Sequence, residues 1–130
     1  MGTRKLLWWM VAVLLLAAAL RLLAFGEVPP GLYHDEAYHG LDALDVLRGR
    51  VPLYFSANNG REPLFIYGVS IAVGVLGKSP FALRLVSVFT GVLTVAATAA
   101  MGRALFSRRM GLLAAAVLAI TLWHVHLSRV

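Results

Sequence analysis

Asp35 and Glu36 stand side by side in the segment Tyr33-His34-Asp35-Glu36-Ala37-Tyr38-His39-Gly40, a dense run of titratable side chains. A carboxylate held there can act as a general base, taking the proton from an attacking hydroxyl. Neighbouring positions on a helix point about 100° apart, so the two acids cannot both address one atom. One would carry the chemistry while the other supports it or binds an ion. Asp35, close to the Val28-Pro29-Pro30-Gly31 turn, is the better placed to project into a cavity, although a carboxylate at a helix start can equally cap its own helix. His34, Glu36 and His39 are metal-ligand types, which makes a divalent cation a candidate cofactor. The two histidines are five residues apart and do not share a helix face. They read more naturally as hydrogen-bonding groups at an interface.

A second candidate group is Arg61, in Gly60-Arg61-Glu62-Pro63-Leu64. Its guanidinium stands where an apolar helix begins, and a guanidinium can grip two phosphate oxygens at once. The alternatives are a local pair with Glu62 or simple contact with lipid headgroups. Arg84 reads as a flank whose charge snorkels to water. Trp123, His124 and His126 read as an interfacial belt.

The elements that must position these groups are hydrophobic. Mean hydropathy is +0.80 and 60% of residues are apolar, which excludes a soluble or disordered domain. Apolar runs cover residues 6–25, 63–77, 81–105 and 111–127. Since about 20 apolar residues cross a bilayer, the expected fold is all-α, a polytopic membrane helix bundle of three to four membrane segments. Five of the six acids (Asp35, Glu36, Asp42, Asp45 and Glu62) lie in one loop between those runs, and the sixth, Glu27, opens it. Carboxylates beside a bilayer are costly and tend to be functional. The net charge of +6 comes from Lys and Arg placed singly or in pairs at the ends of apolar runs. That is the pattern of membrane-helix flanks, so nucleic acid is not an expected partner. There is no cysteine, which rules out thiolate chemistry and disulfides.

Arg4 and Lys5 before the first run orient it from the cytoplasm outward and place the loop 26–61 on the non-cytoplasmic side. A signal peptide has similar flanks. Here, however, the run is twenty residues long, and Arg21-Leu22-Leu23 occupies the position where a small-residue cleavage site belongs. Within the loop, a helix is expected from Asp35, capped by that residue. Tyr38, Leu41, Leu44 and Leu47 would form an apolar stripe lying on the membrane surface. Gly49 and Pro52 should stop it, and residues 55–60 should turn. The 63–77 run would make a helix of about 22 Å, too short for a full crossing unless it starts below the interface. Ser87, Gly91, Thr94, Thr98 and Gly102 form a small-residue seam, with Gly111 and Ala114-Ala115-Ala116 as its natural partner. Four crossings would put Arg108 and Arg109 on the side of the acidic loop. A re-entrant 63–77 segment would put them inside, as the charge rule prefers.

In chain order, the segments Pro29-Pro30-Gly31-Leu32-Tyr33-His34-Asp35-Glu36-Ala37-Tyr38, Arg61-Glu62-Pro63-Leu64-Phe65-Ile66-Tyr67 and Ser79-Pro80-Phe81-Ala82-Leu83-Arg84-Leu85 carry a resemblance. So do Arg103-Ala104-Leu105-Phe106-Ser107-Arg108-Arg109 and Trp123-His124-Val125-His126-Leu127-Ser128-Arg129. Together they resemble the N-terminal part of the GT-C fold membrane glycosyltransferases of family 39, the protein O-mannosyltransferases and aminoarabinose transferases. The resemblance spans residues 1–130 and implies one N-terminal, truncated portion of such a domain, inactive by itself. It implies a multi-pass protein of the plasma or inner membrane. It further implies transfer of a sugar from a polyprenyl-phosphate donor, with inversion, to a hydroxyl acceptor on the non-cytoplasmic face. Asp35 would match the catalytic base and Glu36 its partner in the pair. Arg61 would match the basic residue that meets the carrier phosphate, with His34 and His39 lining the substrate. Glu62 departs from the family pattern, in which a proline commonly follows the basic residue. A different class of function is a non-enzymatic polytopic protein, a transporter segment or assembly subunit, whose acidic loop binds a cation or a partner.

Overall fold

The computed structural model describes residues 2–23, 25, 30–57 and 59–130. Glu27, Val28, Pro29 and Asn58, on which parts of the expected turns fall, lie outside the described residues. The chain is all-helical, with α1 at Thr3–Leu22, α2 at His34–Leu47, α3 at Pro63–Leu76, α4 at Pro80–Leu105, α5 at Arg108–Ile120 and α6 at Leu122–Leu127. Among the described residues the only extended pairing is a bridge between Phe55 and Arg61. Two helices, α1 from Arg4 and the whole of α4, are long and apolar enough to cross a membrane. At 14 and 13 residues, α3 and α5 are shorter than the roughly 20 that a crossing takes.

The chain forms two compact units. One comprises Met1–Leu23 with Val88–Arg129, and its core is built from Val13 and Ala17 of α1, Val95 of α4, and Ala115 and Ala119 of α5. Small residues set the helix spacing. A Cβ on Gly102 would stand 2.8 Å from Gly111 Cα, so α4 and α5 meet backbone to backbone where both lack side chains. This is the partnership expected from the seam, but its residues are only partly those expected. Gly91 and Val95 are buried, whereas Thr94 is exposed and returns its hydroxyl to the Thr90 carbonyl at 2.8 Å. A threonine hydroxyl that can bond its own helix has no need of an interhelical partner.

Two other expectations for this unit are corrected. The 111–127 run is not one helix: the chain leaves helical geometry at Thr121, which ends α5 and caps α6. Arg21, near the end of the first apolar run, is fully buried. Its Nη1 donates to the Ala17 carbonyl at 2.8 Å and to the Ala119 carbonyl at 3.4 Å, and its Nη2 meets His124 Nδ1. His124 therefore belongs to an internal contact, while Trp123 and His126 are exposed.

The other unit is essentially Ala24–Ser87. Here α2 lies against α3 and the opening turns of α4, around Ala43, Val69, Val73 and Ala82. Pro63 starts α3 where a missing N–H costs nothing, and Gly77 ends it with φ of 84°. Gly49, at φ of 93°, ends α2 as the sequence suggests. The face that α2 packs against its neighbours is distinct from the stripe expected to lie on the membrane surface. Leu41 and Leu47 are exposed, while Glu36 and Ala43 are buried and Gly40 lies within reach of Leu83. Small residues and an ion pair bring α2 closer to its neighbours than a leucine stripe would allow.

Candidate functional site

Tyr33, not Asp35, is the N-cap of α2, and Glu36 closes the helix start by accepting the Tyr33 backbone N–H at 2.8 Å. That is the return half of a capping box. The same carboxylate receives Arg84 Nε on Oε1 at 2.7 Å and Arg84 Nη2 on Oε2 at 3.1 Å. Arg84 Nη2 also donates to the Gly31 carbonyl. Both side chains are 3% exposed, so Arg84 is a buried structural cation and not the snorkelling flank its position suggests. Sequence reading missed this pair. Its one signal was the lone arginine in an otherwise apolar helix start.

With Asp35 released from capping and Glu36 fixed, α2 presents Asp35, Tyr38, His39 and Asp42 at i, i+3, i+4 and i+7, along one face. Arg61 closes over that face. Its Nη2 donates to Asp42 Oδ2 at 2.6 Å, and its guanidinium carbon lies 5.8 Å from the Tyr38 ring centre. The local pair with Glu62 is thereby replaced by a tertiary one. The position of Arg61 is fixed by a closed loop. Its backbone N–H donates to the Phe55 carbonyl at 2.9 Å, Asn59 and Gly60 supply the positive φ of the turn, and buried Phe55 meets the Tyr67 ring. Tyr67 in turn donates its hydroxyl to the Pro52 carbonyl at 2.6 Å.

Arg61 is incompletely used. Its Nε and Nη1 are buried and have no hydrogen-bond partner. A guanidinium so placed keeps two donors for an anion, and buried donors left alone are costly. Beside it, His39 packs edge-on against Phe65 at 5.0 Å. Burial pushes the imidazole pKa down and the Arg61 charge adds to that, against the opposing pull of Asp35, Asp42 and Glu36. His39 is therefore a neutral imidazole near pH 7, able to donate from one nitrogen and accept at the other. His34 and Asp35 are both more exposed, with His34 Nδ1 3.7 Å from Asp35 Oδ1 and the His34 ring against Tyr38.

The structure thus brings Asp35, His39, Asp42 and Arg61 into one electrostatic neighbourhood and leaves His34 at its open edge. Glu36 faces Arg84, on the other side of α2. For a divalent cation the residues present do not fit. No group of three His, Asp or Glu among the described residues could hold one, Glu36 is taken by Arg84, and Asp42 is taken by Arg61.

Compared with known proteins, the chain matches no family model, no curated protein and no solved structure.

Proposed function

We propose that this chain belongs to a multi-pass membrane glycosyltransferase that moves a sugar from a polyprenyl-phosphate donor to a hydroxyl acceptor on the non-cytoplasmic side. The observation that carries the reading is Arg61, a buried guanidinium with two donors unused, next to a face of acids and a neutral histidine. Such an arrangement suits a phosphate that is held at interface depth and departs as an anion. Asp35 is the base. It removes the acceptor hydroxyl proton as the oxygen attacks the anomeric carbon, and the bond from that carbon to the phosphate oxygen breaks with its electron pair going to phosphate. Attack from the side opposite the phosphate inverts the configuration. The Arg61 guanidinium takes the charge that grows on the leaving phosphate, while Asp42 holds it in place through Nη2. Glu36 acts through position: tied to Arg84 and the Tyr33 N–H, it fixes the start of α2 and hence the direction of Asp35.

In the membrane, α1 and α4 make the two crossings that length and hydropathy support, and α3 is re-entrant. That topology returns Arg108 and Arg109 to the cytoplasmic side with Arg4 and Lys5.

The test is transfer of labelled sugar in membranes from cells expressing the complete gene, offered a panel of polyprenyl-phosphate sugars. Label should reach a hydroxyl acceptor and depend on Asp35. Absence of transfer from every donor would leave a non-enzymatic membrane protein as the reading.

A further inference from the structure

A second concave site, separate from the acidic face, lies wholly within the unit made of Met1–Leu23 and Val88–Arg129. It is a groove of about 350 Å³ between the first half of α1, the second half of α4 and the start of α5. Its walls are apolar, with Met10, Leu14, Ala96, Ala100 and Leu112 among them, and the charged residues on it are Arg103 and Arg108. From Leu6 to Leu14 it follows α1 for about 12 Å. Arg4 and Lys5 stand at the same end of α1, and with Trp8 they border an adjoining shallow depression.

The charge balance of this unit is one-sided. It contains Arg4, Lys5, Arg21, Arg103, Arg108, Arg109 and Arg129, and not one Asp or Glu, since all six acids of the chain lie in the other unit. Anything that neutralises the groove's cationic end must therefore carry the negative charge itself. Because α1 and α4 are the two helices apolar enough to cross a bilayer, their flank is open to lipid. The cationic end marks the cytoplasmic leaflet, where anionic lipids collect against basic flanks.

We propose that the groove is a binding site for one anionic glycerophospholipid. Its phosphate is held between Arg103 and Arg108, and one acyl chain lies along the apolar wall between α1, α4 and α5. The complementarity is double: an apolar chain for an apolar channel, and a net negative headgroup for a cluster that has no carboxylate of its own. An apolar transmembrane helix from a protein partner would fill the walls but bring no negative charge to the cationic end.

The experiment is native mass spectrometry of the purified full chain in micelles doped with equal phosphatidylglycerol and phosphatidylcholine. The wild type should retain one phosphatidylglycerol in preference to phosphatidylcholine. Arg103→Gln and Arg108→Gln should each lower that preference about fivefold, the effect of one basic residue at an anionic surface. Arg109→Gln removes the same charge one residue away but outside the groove, and should leave the preference unchanged. Ala100→Phe fills the groove with every charge intact and should lower retention of both lipids, and excess inorganic phosphate should not displace the bound one. These single changes sit on exposed side chains, and circular dichroism reports whether each variant remains helical. Equal losses for Arg108→Gln and Arg109→Gln would reduce the site to diffuse surface charge. Displacement by inorganic phosphate, or no lipid preference in the wild type, would overturn it as well.

Discussion

The Glu36 carboxylate grips Arg84 with both oxygens across 48 positions of sequence, and each side chain is 3% exposed. Breaking such a pair leaves one buried charge with no counterpart, which costs about 3–5 kcal/mol, whereas replacing both partners by apolar groups is often near neutral. Glu36→Gln and Arg84→Met should each lower the unfolding midpoint in detergent markedly. The double variant Glu36→Met/Arg84→Met should recover much of the loss. Additive losses in the double variant would show that the two side chains do not act as a unit.

His39 predicts an acid-sensitive site. Its pKa is lowered in the folded protein, by burial first and by Arg61 second. The unfolded chain therefore takes up a proton at higher pH than the folded one does. Stability from this residue is complete above about pH 6.5, the ordinary histidine value. It falls as pH drops below that, and levels off once the folded form also protonates. Thermal unfolding between pH 7.5 and 5 should show a loss in the wild type that His39→Gln reduces. Arg61→Met should raise the His39 pKa when it is followed by NMR titration.

The Gly102–Gly111 approach makes a packing prediction. Any side chain at Gly102 meets the backbone of α5, with Gly111 Cα 2.8 Å from the new Cβ. Gly102→Val should destabilise the helix pair by about 1–3 kcal/mol, the usual cost of overpacking. Ala97→Val, on an exposed position of the same helix, should be close to neutral. Comparing their resistance to denaturing detergent is sufficient, and equal behaviour would place the close contact elsewhere.

What the sequence disclosed and what it withheld follow from the range of the interactions. Helices, their stops at Gly49 and Gly77, and the start at Pro63 rest on local rules of periodicity, proline and glycine, and all are found. The partners of Arg61 and Arg84 are not local. Arg61 finds Asp42 nineteen residues away, and not its neighbour Glu62. Arg84 looks like a helix flank until Glu36 is brought to it. The same holds for α2, whose leucine stripe reads as a membrane-surface face and does not tell which side packs against the neighbouring helices. Gly40 and Ala43 admit closer neighbours, and only the fold reveals that the inner face is the one carrying Glu36. The break at Thr121 had no proline or glycine to announce it.

If Asp35 is the base, its removal should be kinetic in effect and structurally silent. Its side chain is 56% exposed and does not cap α2. Asp35→Asn should leave unfolding within about 0.5 kcal/mol of wild type and lower sugar transfer by about 10²- to 10⁴-fold. Transfer at wild-type rate would move the base to another residue, with His39 next in line by position and protonation.

Arg61 separates a phosphate ligand from an ordinary ion pair. Nη2 is held by Asp42, while Nε and Nη1 are buried without partners. A phosphate bound at either one would satisfy it with a directed N–H donor on a fixed plane, which lysine's point charge does not copy. A lost charge-assisted hydrogen bond is worth about 1.5–3 kcal/mol, or roughly ten- to a hundredfold in donor affinity. Arg61→Lys should therefore raise the donor concentration needed for half-maximal rate moderately, and Arg61→Ala should raise it strongly. Glu62→Gln, beside it in sequence but exposed and absent from the pair, should change nothing. Initial rates against polyprenyl-phosphate-sugar concentration in one liposome composition make the comparison. Overlaying curves for all four proteins would mean that Arg61 serves Asp42 and Tyr38 alone, and that the carrier phosphate binds elsewhere.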